Sequence, residues 1–254
     1  MSVRLSVFAV PGIPMVKPGD DIAGFILDGL AAMGEALADA DVVVVAQKIV
    51  SKTEGRLVAL STVTPSARAH ELAGITGKDP RVVELVLQES NAVLRAKTNV
   101  LVVEQKLGLV IANAGIDRSN VEGGADDMAL LLPLDPDASA RDLRATIKAR
   151  SGADVGVVVA DSVGRAWRIG TSALAIGCAG LEPLWDQRGD VDMFGKVLEV
   201  TEVAIADQVA AAANLVMGEA TEATPVAIVR GLTTPRNERP ATVLIRPKEM
   251  DMFR

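Results

Sequence analysis

The chain contains very few aromatic, histidine or cysteine side chains. Aromatic residues make up 2% of its 254 residues, and tyrosine is absent. The core must therefore be built from Val, Leu, Ile and Ala. A base-stacking surface for single-stranded nucleic acid is not expected, because such surfaces use several aromatic faces. The single cysteine, Cys178, cannot form an intrachain disulfide, which fits a reducing cytoplasm.

The shortage of histidine and cysteine also restricts metal chemistry. His70 and Cys178 are the only residues of their types, so a zinc site built from these ligands is excluded. Carboxylates and other oxygen ligands must hold any metal, which favours Mg²⁺ or Mn²⁺. We interpret His70 as a helix-surface residue and Cys178 as a small packed residue rather than a nucleophile.

The charge and the apolar runs exclude two further classes of partner. A net charge of −7 argues against a general nucleic-acid-binding protein, which needs a basic face. A nucleotide remains compatible, because it needs only local donors and a metal. The longest apolar runs, such as Val42–Ala46, are far shorter than the roughly 20 residues that span a bilayer. Residues 1–10 lack a signal-peptide pattern, so we expect a cytoplasmic protein with no membrane partner.

Apolar runs and amphipathic segments alternate along the chain. We predict strands at 5–10, 42–46, 100–103, 107–112, 155–160 and 226–230, and helices at about 21–37, from 66 onward, 80–89, 139–149 and 205–217. This mixture favours an α+β or mixed α/β fold. We expect one unit over residues 1–254, with at most two lobes and a soft boundary. Polar loops predicted at 113–127, 161–172 and 186–196 are where a site is expected.

Standard nucleotide and hydrolase motifs are missing. The nearest approach to a P-loop, from Gly189 to Gly195 and Lys196, has five intervening residues, and Val197 replaces the required Ser or Thr. No G-x-G-x-x-G motif follows a strand, and no G-x-S-x-G motif is present. The sequence therefore gives no support for a P-loop enzyme, a dinucleotide-binding fold or an α/β-hydrolase.

Two carboxylates follow predicted strands. Asp117 comes soon after the strand at 107–112, and Asp161 directly follows the strand at 155–160, with Ser162 beside it. These oxygens are suited to a shared hard metal ion. Arg165 and Arg168 come next and are suited to bidentate binding of a phosphate or carboxylate. The alternatives are a polar turn at Asp117 and a solvated basic turn after Asp161, with Trp167 packed beneath it.

A third polar segment follows the strand Val42–Ala46. Lys48, Lys52 and Arg56 recur every four residues, so a helical turn would place them on one face. Such a face could hold a triphosphate, and it could equally be a solvated surface helix.

Together these segments resemble the coenzyme F420:L-glutamate ligases, the F420-0:gamma-glutamyl ligase family. The resemblance is carried by Gln47-Lys48-Ile49-Val50-Ser51-Lys52-x-Glu54-Gly55-Arg56, Ala112-Asn113-Ala114-Gly115-Ile116-Asp117-x-Ser119-Asn120 and Asp161-Ser162-x-Gly164-Arg165-x-Trp167-Arg168-x-Gly170. Ala175-Ile176-Gly177-x-Ala179-Gly180, Met217-Gly218-Glu219 and the tail Asp251-Met252-Phe253-Arg254 continue it. The motifs span nearly the whole chain in order.

The resemblance implies an activity and a set of functional residues. It implies GTP-dependent addition of one or more L-glutamates to coenzyme F420-0 through an acyl phosphate, by a homodimer with an intertwined α+β fold. Asp117 and Asp161 would be catalytic, and Mg²⁺ or Mn²⁺, with K⁺ as a further ion, would bind at Asp117, Asp161, Ser162 and Glu219. GTP would contact Ile13, Pro14, Met15, Val16, Gln47, Lys48, Lys52, Asn120, Met217, Gly218, Ala220, Thr221, Glu222, Ala223 and Thr224. Arg165 and Arg168 are proposed from their charge alone to bind the acceptor or glutamate.

Two further expectations concern domain content and alternative activities. Some bacterial relatives carry a nitroreductase-like flavin-binding domain, which this chain is expected not to include. The residues themselves leave two alternatives open: another metal-dependent carboxylate–amine ligase or nucleotide phosphohydrolase, and a nucleotide-sensing protein without turnover.

Overall fold

The computed structural model describes residues 4–119, 128–233 and 235–252. Within these ranges the chain forms twelve strands and six α-helices. The strands are β1 (Ser6–Ala9), β2 (Val42–Ala46), β3 (Leu57–Ala59), β4 (Ser90–Lys97), β5 (Val100–Gln105), β6 (Val110–Ala112), β7 (Met128–Leu130), β8 (Gly156–Arg165), β9 (Arg168–Ala179), β10 (Leu184–Asp186), β11 (Glu202–Ala204) and β12 (Val226–Arg230). The helices are α1 (Ile22–Ala32), α2 (Gln47–Thr53), α3 (Ala67–Thr76), α4 (Pro80–Gln88), α5 (Pro136–Ser151) and α6 (Ile205–Met217).

A five-stranded mixed sheet forms the centre of the molecule, with the strand order β1-β12-β2-β8-β9. The neighbours β2 and β8 run parallel, and the other pairs are antiparallel. Four of the five residues of β2 are buried, as are the first five of β8. Such continuous Val-rich runs are typical of strands covered on both faces.

Successive side chains of these strands supply two separate cores. Val43 and Val45 of β2 point to one face of the sheet, where they pack with α1 and α5. Val42 and Val44 point to the other face, where α6 covers them. This alternation follows from the two-residue period of a strand. The alanines of α6 are small enough to let the helix lie close to the sheet.

A smaller layer lies beside the central sheet. Strands β4, β5 and β6 form an antiparallel sheet whose apolar side chains pack against α3 and α4. Strands β3 and β7 pair separately, as do β10 and β11. The α+β class is therefore confirmed. No helix among the described residues is long and apolar enough to cross a membrane.

Capping side chains fix several helix starts. The Asp21 carboxylate accepts from the Gly24 N–H at the start of α1, and the Ser66 hydroxyl accepts from the Ala69 N–H at the start of α3. Such caps satisfy N–H groups that have no partner within the helix. The predicted starts at these residues are confirmed. The predicted elements Val42–Ala46, Ile205–Met217 and Val226–Arg230 also match in their bounds.

The loop predicted at 161–172 is wrong. Strand β8 continues to Arg165, and β9 begins at Arg168, so this segment is the end of a long hairpin. Asp161 pairs with Leu174, and Gly164 pairs with Thr171. Glycines and polar residues concealed the strands from sequence patterns, because they lack the apolar alternation on which strand prediction relies. Asp161 thus lies inside a strand rather than at its end.

We predict that Gly177→Ala destabilises the fold. A Cβ at this β9 position would lie 2.3 Å from the backbone of Pro136 at the start of α5, so the helix must move. Overpacking of this kind costs about 1 to 3 kcal/mol. Thermal unfolding should show a Tm lower by roughly 2 to 12 °C. The control is Gly164→Ala in the same hairpin, where a Cβ would meet nothing within 4 Å. Equal Tm values for the two variants would contradict the predicted clash.

Candidate active site

A cleft of about 600 Å³ opens where β2 and β8 leave the body of the central sheet. Its volume lies within the usual range for pockets that bind small molecules. Four segments line it: the loop before α1, the start of α2, the β8–β9 hairpin, and the end of α6 with the residues that follow. Asp117 and Ser119 form a further wall.

The parallel pairing of β2 with β8 places the central residues of the cleft. Ala46 is paired with Ala160 in the ladder, so the next residues, Gln47 and Asp161, emerge side by side. Strand β2 gives way to α2 at this point, which turns Lys48 towards the cleft. Ligands commonly bind where neighbouring parallel strands end together.

A strained turn positions Asp117. Asn113, Ala114 and Gly115 all adopt positive φ after β6, and a Cβ on Gly115 would come within 2.8 Å of Leu132. The Asp117 N–H then donates to the Leu130 carbonyl oxygen at 3.0 Å, and the Leu130 N–H donates back at 2.8 Å. Left-handed non-glycine residues cost free energy and are concentrated at functional sites.

Lys48 is the charge partner of Asp117. Its Nζ atom lies 2.5 Å from Asp117 Oδ2 and donates to Ser119 Oγ at 3.1 Å. The backbone N–H and the hydroxyl of Ser119 both donate to Asp117 Oδ1 at 2.7 Å. Burial by itself raises the pKa of Asp117, but the donors Lys48 and Ser119 outweigh it and hold that pKa below its usual range.

Asp161 has the opposite electrostatic character. Burial, with a smaller contribution from the charge of Asp117, raises its pKa to about 7. The Ser162 N–H, the charge of Lys48 and the side chain of Gln47 act in the other direction. Two neighbouring carboxylates with one lysine between them leave an unneutralised negative charge, which a cation would stabilise.

Gln47 is held in place beneath these charges. Its side chain is 2% exposed, and the hydroxyl of the fully buried Ser51 donates to Gln47 Oε1 at 2.9 Å. The amide oxygen is occupied, and the side chain lies close enough to Asp161 to lower the pKa of that carboxyl. A buried polar side chain held in this way is well suited to fix the position of its neighbour.

Ser162 and Glu219 meet on the opposite face of β8. Consecutive strand residues point to opposite faces, so Ser162 points away from the side on which Asp161 lies. The Ser162 hydroxyl donates to Glu219 Oε1 at 2.6 Å, and the Asn214 amide donates to the same oxygen at 2.8 Å. Gly218 ends α6 with φ 74° and ψ −178°, a conformation that essentially only glycine adopts, and this turn brings Glu219 back over Asn214.

Most of the residues predicted to bind the nucleotide line this one cleft. They are Ile13, Pro14, Met15, Val16, Gln47, Lys48, Lys52, Met217, Gly218, Ala220, Thr221, Glu222, Ala223 and Thr224, together with the predicted metal ligands Asp117, Asp161, Ser162 and Glu219. Asn120, also predicted, lies outside the described residues. The Thr224 hydroxyl donates to the carbonyl oxygen of Met217 at 2.9 Å, which closes the loop after α6.

Three basic residues that the sequence suggested as anion-binding residues lie outside the cleft. Arg165 and Arg168 are exposed at the tip of the β8–β9 hairpin and do not line the cleft. Arg56 does not share the face of Lys48 and Lys52, because α2 ends at Thr53. Its guanidinium instead donates to Glu89 at 2.8 Å and to the Leu132 carbonyl at 2.9 Å.

The oxygen atoms in the cleft fit a hard divalent cation. They form two pairs, Asp117 with Asp161 and Ser162 with Glu219, on either side of β8. Within the described ranges no three acidic, histidine or cysteine side chains converge as one cluster. Carboxylate and hydroxyl oxygens are the ligands that Mg²⁺ and Mn²⁺ prefer.

The family can be decided by comparison with known proteins. The family model described as F420-0:Gamma-glutamyl ligase matches residues 12–231. The chain belongs to this family. It is 44% identical over 252 residues to the coenzyme F420:L-glutamate ligase of Methanothermobacter thermautotrophicus, covering 98% of this chain and 99% of that protein. The proteins of that name from Methanocaldococcus jannaschii and Archaeoglobus fulgidus are 43% identical over 242 residues and 42% identical over 252 residues.

These matches extend over nearly the whole of each chain. They cover 95% of this chain and 94% of the Methanocaldococcus protein, and 99% of this chain and 97% of the Archaeoglobus protein. The family predicted from the sequence motifs is therefore confirmed. All the cleft residues named above lie within the matched range of the family model.

Sequence reasoning missed Asn214 among the residues of the cleft. It lies in the last turn of α6, four residues before Gly218, and its amide holds Glu219. The available signal was a polar residue that follows a run of alanines in the predicted helix, shortly before the motif Met217-Gly218-Glu219. Thr171 of β9 also lines the cleft and was missed because the sequence pattern predicts a loop at 161–172, and Ala173 lines the cleft just beyond that predicted loop.

We predict that Asp161 makes the metal-free protein less stable as the pH rises. Its pKa is about 7 in the folded chain against an ordinary 3.8, so its contribution to stability is complete below about pH 4 and is lost as the pH rises to about 7. Asp161→Asn has no such loss. In EDTA, the free energy of unfolding of Asp161→Asn should rise relative to that of wild type by roughly 1 to 3 kcal/mol between pH 4.5 and pH 7.5.

The exposed Asp190 provides a control for this titration. Asp190→Asn should follow the wild type at every pH in the same denaturant titration. A difference between Asp161→Asn and wild type that is constant across the pH range would contradict the assignment of the raised pKa to this residue.

Proposed function

We propose that this protein is the ligase that adds L-glutamate to coenzyme F420-0, using GTP and a divalent metal ion, in the biosynthesis of coenzyme F420. The proposal is supported most directly by one arrangement, the carboxylates Asp117 and Asp161 beside Lys48 in a nucleotide-sized cleft. Family membership and the names of the relatives support the choice of acceptor and amino acid.

The chemistry explains why the chain needs no histidine or cysteine nucleophile. A carboxylate condenses with an amine only after one of its oxygens becomes part of a good leaving group. In the proposed reaction the γ-phosphoryl group of GTP passes to the acceptor carboxylate, which forms an acyl phosphate and releases GDP. The amine of L-glutamate then attacks the acyl carbon, and an amide bond forms as inorganic phosphate and a proton leave. Phosphoryl transfer of this kind depends mainly on positioning and charge neutralisation.

The residues of the cleft divide these tasks. Asp117, Asp161, Ser162 and Glu219 would hold Mg²⁺ or Mn²⁺, which supplies neutralisation of the phosphate oxygens. Lys48 and Lys52 are four residues apart on α2, so they lie on one face of the helix and would face the phosphates. Gln47 and Asn214 hold Asp161 and Glu219 in place. The loops containing Ile13–Val16 and Met217–Thr224 would enclose the rest of the nucleotide.

The remaining features of the proposal rest on the resemblance. They are a preference for guanine over adenine, K⁺ as an additional ion, and an intertwined homodimer. We also propose a cytoplasmic location. We further propose that residues 1–254 act as one catalytic unit.

The direct test is the mass of the product. Purified protein with GTP, Mn²⁺, L-glutamate and F420-0 should yield a product heavier by one glutamate residue, or by several if addition repeats. GTP should support the reaction better than ATP. Phosphate release that needs neither acceptor nor glutamate would identify a phosphohydrolase instead. Nucleotide binding without any turnover would support a sensing protein.

We predict that Asp161→Asn abolishes ligation while the fold remains intact. The variant removes a carboxylate from the proposed metal site, and the loss of such a ligand should lower kcat by about a thousandfold or more. Circular dichroism and a Tm equal to or above that of wild type would show that folding is unaffected. Asp190→Asn is the matched control and should keep full activity. Near-normal metal-dependent turnover by Asp161→Asn would overturn the assignment of the site.

A further inference from the structure

A second and larger cleft lies along the edge strand β9. Its volume is about 840 Å³, and most of its wall is apolar. The wall comes from β4, the turn between β5 and β6, the tip of the β8–β9 hairpin and the segment 241–246. Representative apolar side chains are Leu107, Leu109, Leu174, Ile176, Leu244 and Ile245.

The two clefts adjoin at one cross-strand pair. Leu174 lines the second cleft, Asp161 lines the first, and the two residues are directly opposite each other in the β8–β9 ladder. Opposed residues of an antiparallel pair point to the same face, with their Cβ atoms about 5 Å apart. A molecule that lies in the second cleft could therefore extend past Leu174 to the carboxylates of the active site.

Two arginines in the wall of the second cleft have no partner among the described residues. Arg95 and Arg246 line it, and neither makes a hydrogen bond or ion pair there. Both side chains are exposed. An unpaired guanidinium beside an apolar wall is suited to bidentate binding of a phosphate or carboxylate.

The acidic side chains of this cleft are occupied within the chain. Asp137 accepts from the N–H groups of Cys178 and Ala241 at 2.8 and 2.7 Å. Asp207 accepts from the Ala175 N–H at 2.9 Å, and Asp135 caps α5. Asp251 also has an interaction within the chain. These carboxylates are held by backbone N–H groups and fix the edge strand and the helix start, and none of them forms an ion pair with Arg95 or Arg246.

Trp167 adds an aromatic face to the second cleft. It is 81% exposed at the two-residue hairpin turn and adopts φ 59°. A bulky side chain with positive φ is strained, and an exposed Trp buries little surface in return. Its exposed ring forms an aromatic part of the wall of the second cleft.

We propose that the second cleft binds the acceptor, a molecule with an extended apolar or aromatic body and an anionic group, and directs its carboxylate past Leu174 to Asp161. This inference rests on the proposed function. The nucleotide would fill the first cleft, so the body of the acceptor needs a separate space that opens onto the same carboxylates. Arg95 and Arg246 replace Arg165 and Arg168 as its anion-binding residues.

The test uses the double variant Arg95→Ala/Arg246→Ala. Loss of two charge-assisted contacts should raise the KM for F420-0 by about ten- to a hundredfold, while the KM for GTP and the affinity for Mn²⁺ stay unchanged. Arg165→Ala/Arg168→Ala is the matched control, because it removes the same charge from the neighbouring hairpin tip. An unchanged KM for F420-0 in the first variant, or a larger rise in the second, would overturn the proposal.

Direct binding gives a readout that does not depend on turnover. The chain has two tryptophans, and Trp185 does not line the second cleft. F420-0 added without GTP should quench the fluorescence of wild type and quench that of Trp167→Phe much less. Equal quenching of the two proteins would place the acceptor elsewhere.

Failure of the acceptor site and failure of the proposed function give different results. If wild type makes no glutamate adduct at all, the proposed function fails, whereas an active wild type with an unaffected double variant refutes only the acceptor site. Sedimentation velocity of the same samples tests whether a second copy of the chain occupies the cleft. A rise in KM that follows dissociation of the double variant into smaller species would also overturn the proposal.

Discussion

The parallel pairing of β2 with β8 is the constraint on which the site depends. It sets Ala46 beside Ala160, so that the parallel pairing ends at the same level on both strands. One strand continues as α2 and delivers Gln47 and Lys48, and the other continues as a hairpin strand and delivers Asp161 and Ser162. A shift of one residue in this register would turn Asp161 to the other face of the sheet, away from Lys48 and Asp117.

The site is assembled from two halves separated by the thickness of one strand. Asp161 shares its face with Asp117 and Lys48, whereas Ser162 shares the other face with Glu219 and Asn214. Each half is fixed by uncharged donors, Gln47 on one side and Asn214 on the other. The arrangement brings side-chain oxygens that are far apart in the chain to the two faces of the middle of β8. Its electrostatic cost is concentrated in Asp161, whose pKa is raised to about 7 by burial and by the charge of Asp117.

Much of this could be predicted from the sequence, and the successes and failures have clear physical origins. The strand Val42–Ala46 and the helix Ile205–Met217 have uniform apolar patterns, and their predicted bounds are correct. The sequence predicts a loop at residues 161–165 because glycine and polar side chains replace the alternation of a buried strand. Residues 161–165 nevertheless form a strand, because backbone pairing with β9 does not require apolar side chains.

The sequence predicted which side chains belong to the site only where they lie in a family motif. The motifs predict Lys48 and Asp117 as site residues, but their 2.5 Å ion pair depends on a left-handed turn that no periodic pattern reveals. The four-residue spacing predicts Arg56 on the face of Lys48, yet α2 ends before it and Arg56 joins Glu89 instead. The second cleft brings together Arg95, Leu174 and Arg246, which are far apart in the sequence, so only the fold could indicate it.

The two halves around β8 are proposed to form a single metal and nucleotide site. The affinity for GTP, measured by titration calorimetry with and without Mn²⁺, tests this directly. We predict that Mn²⁺ tightens GTP binding to wild type by at least about tenfold, and that this coupling is lost in both Asp161→Asn and Ser162→Ala. Coupling that persists undiminished in either variant would contradict a shared site.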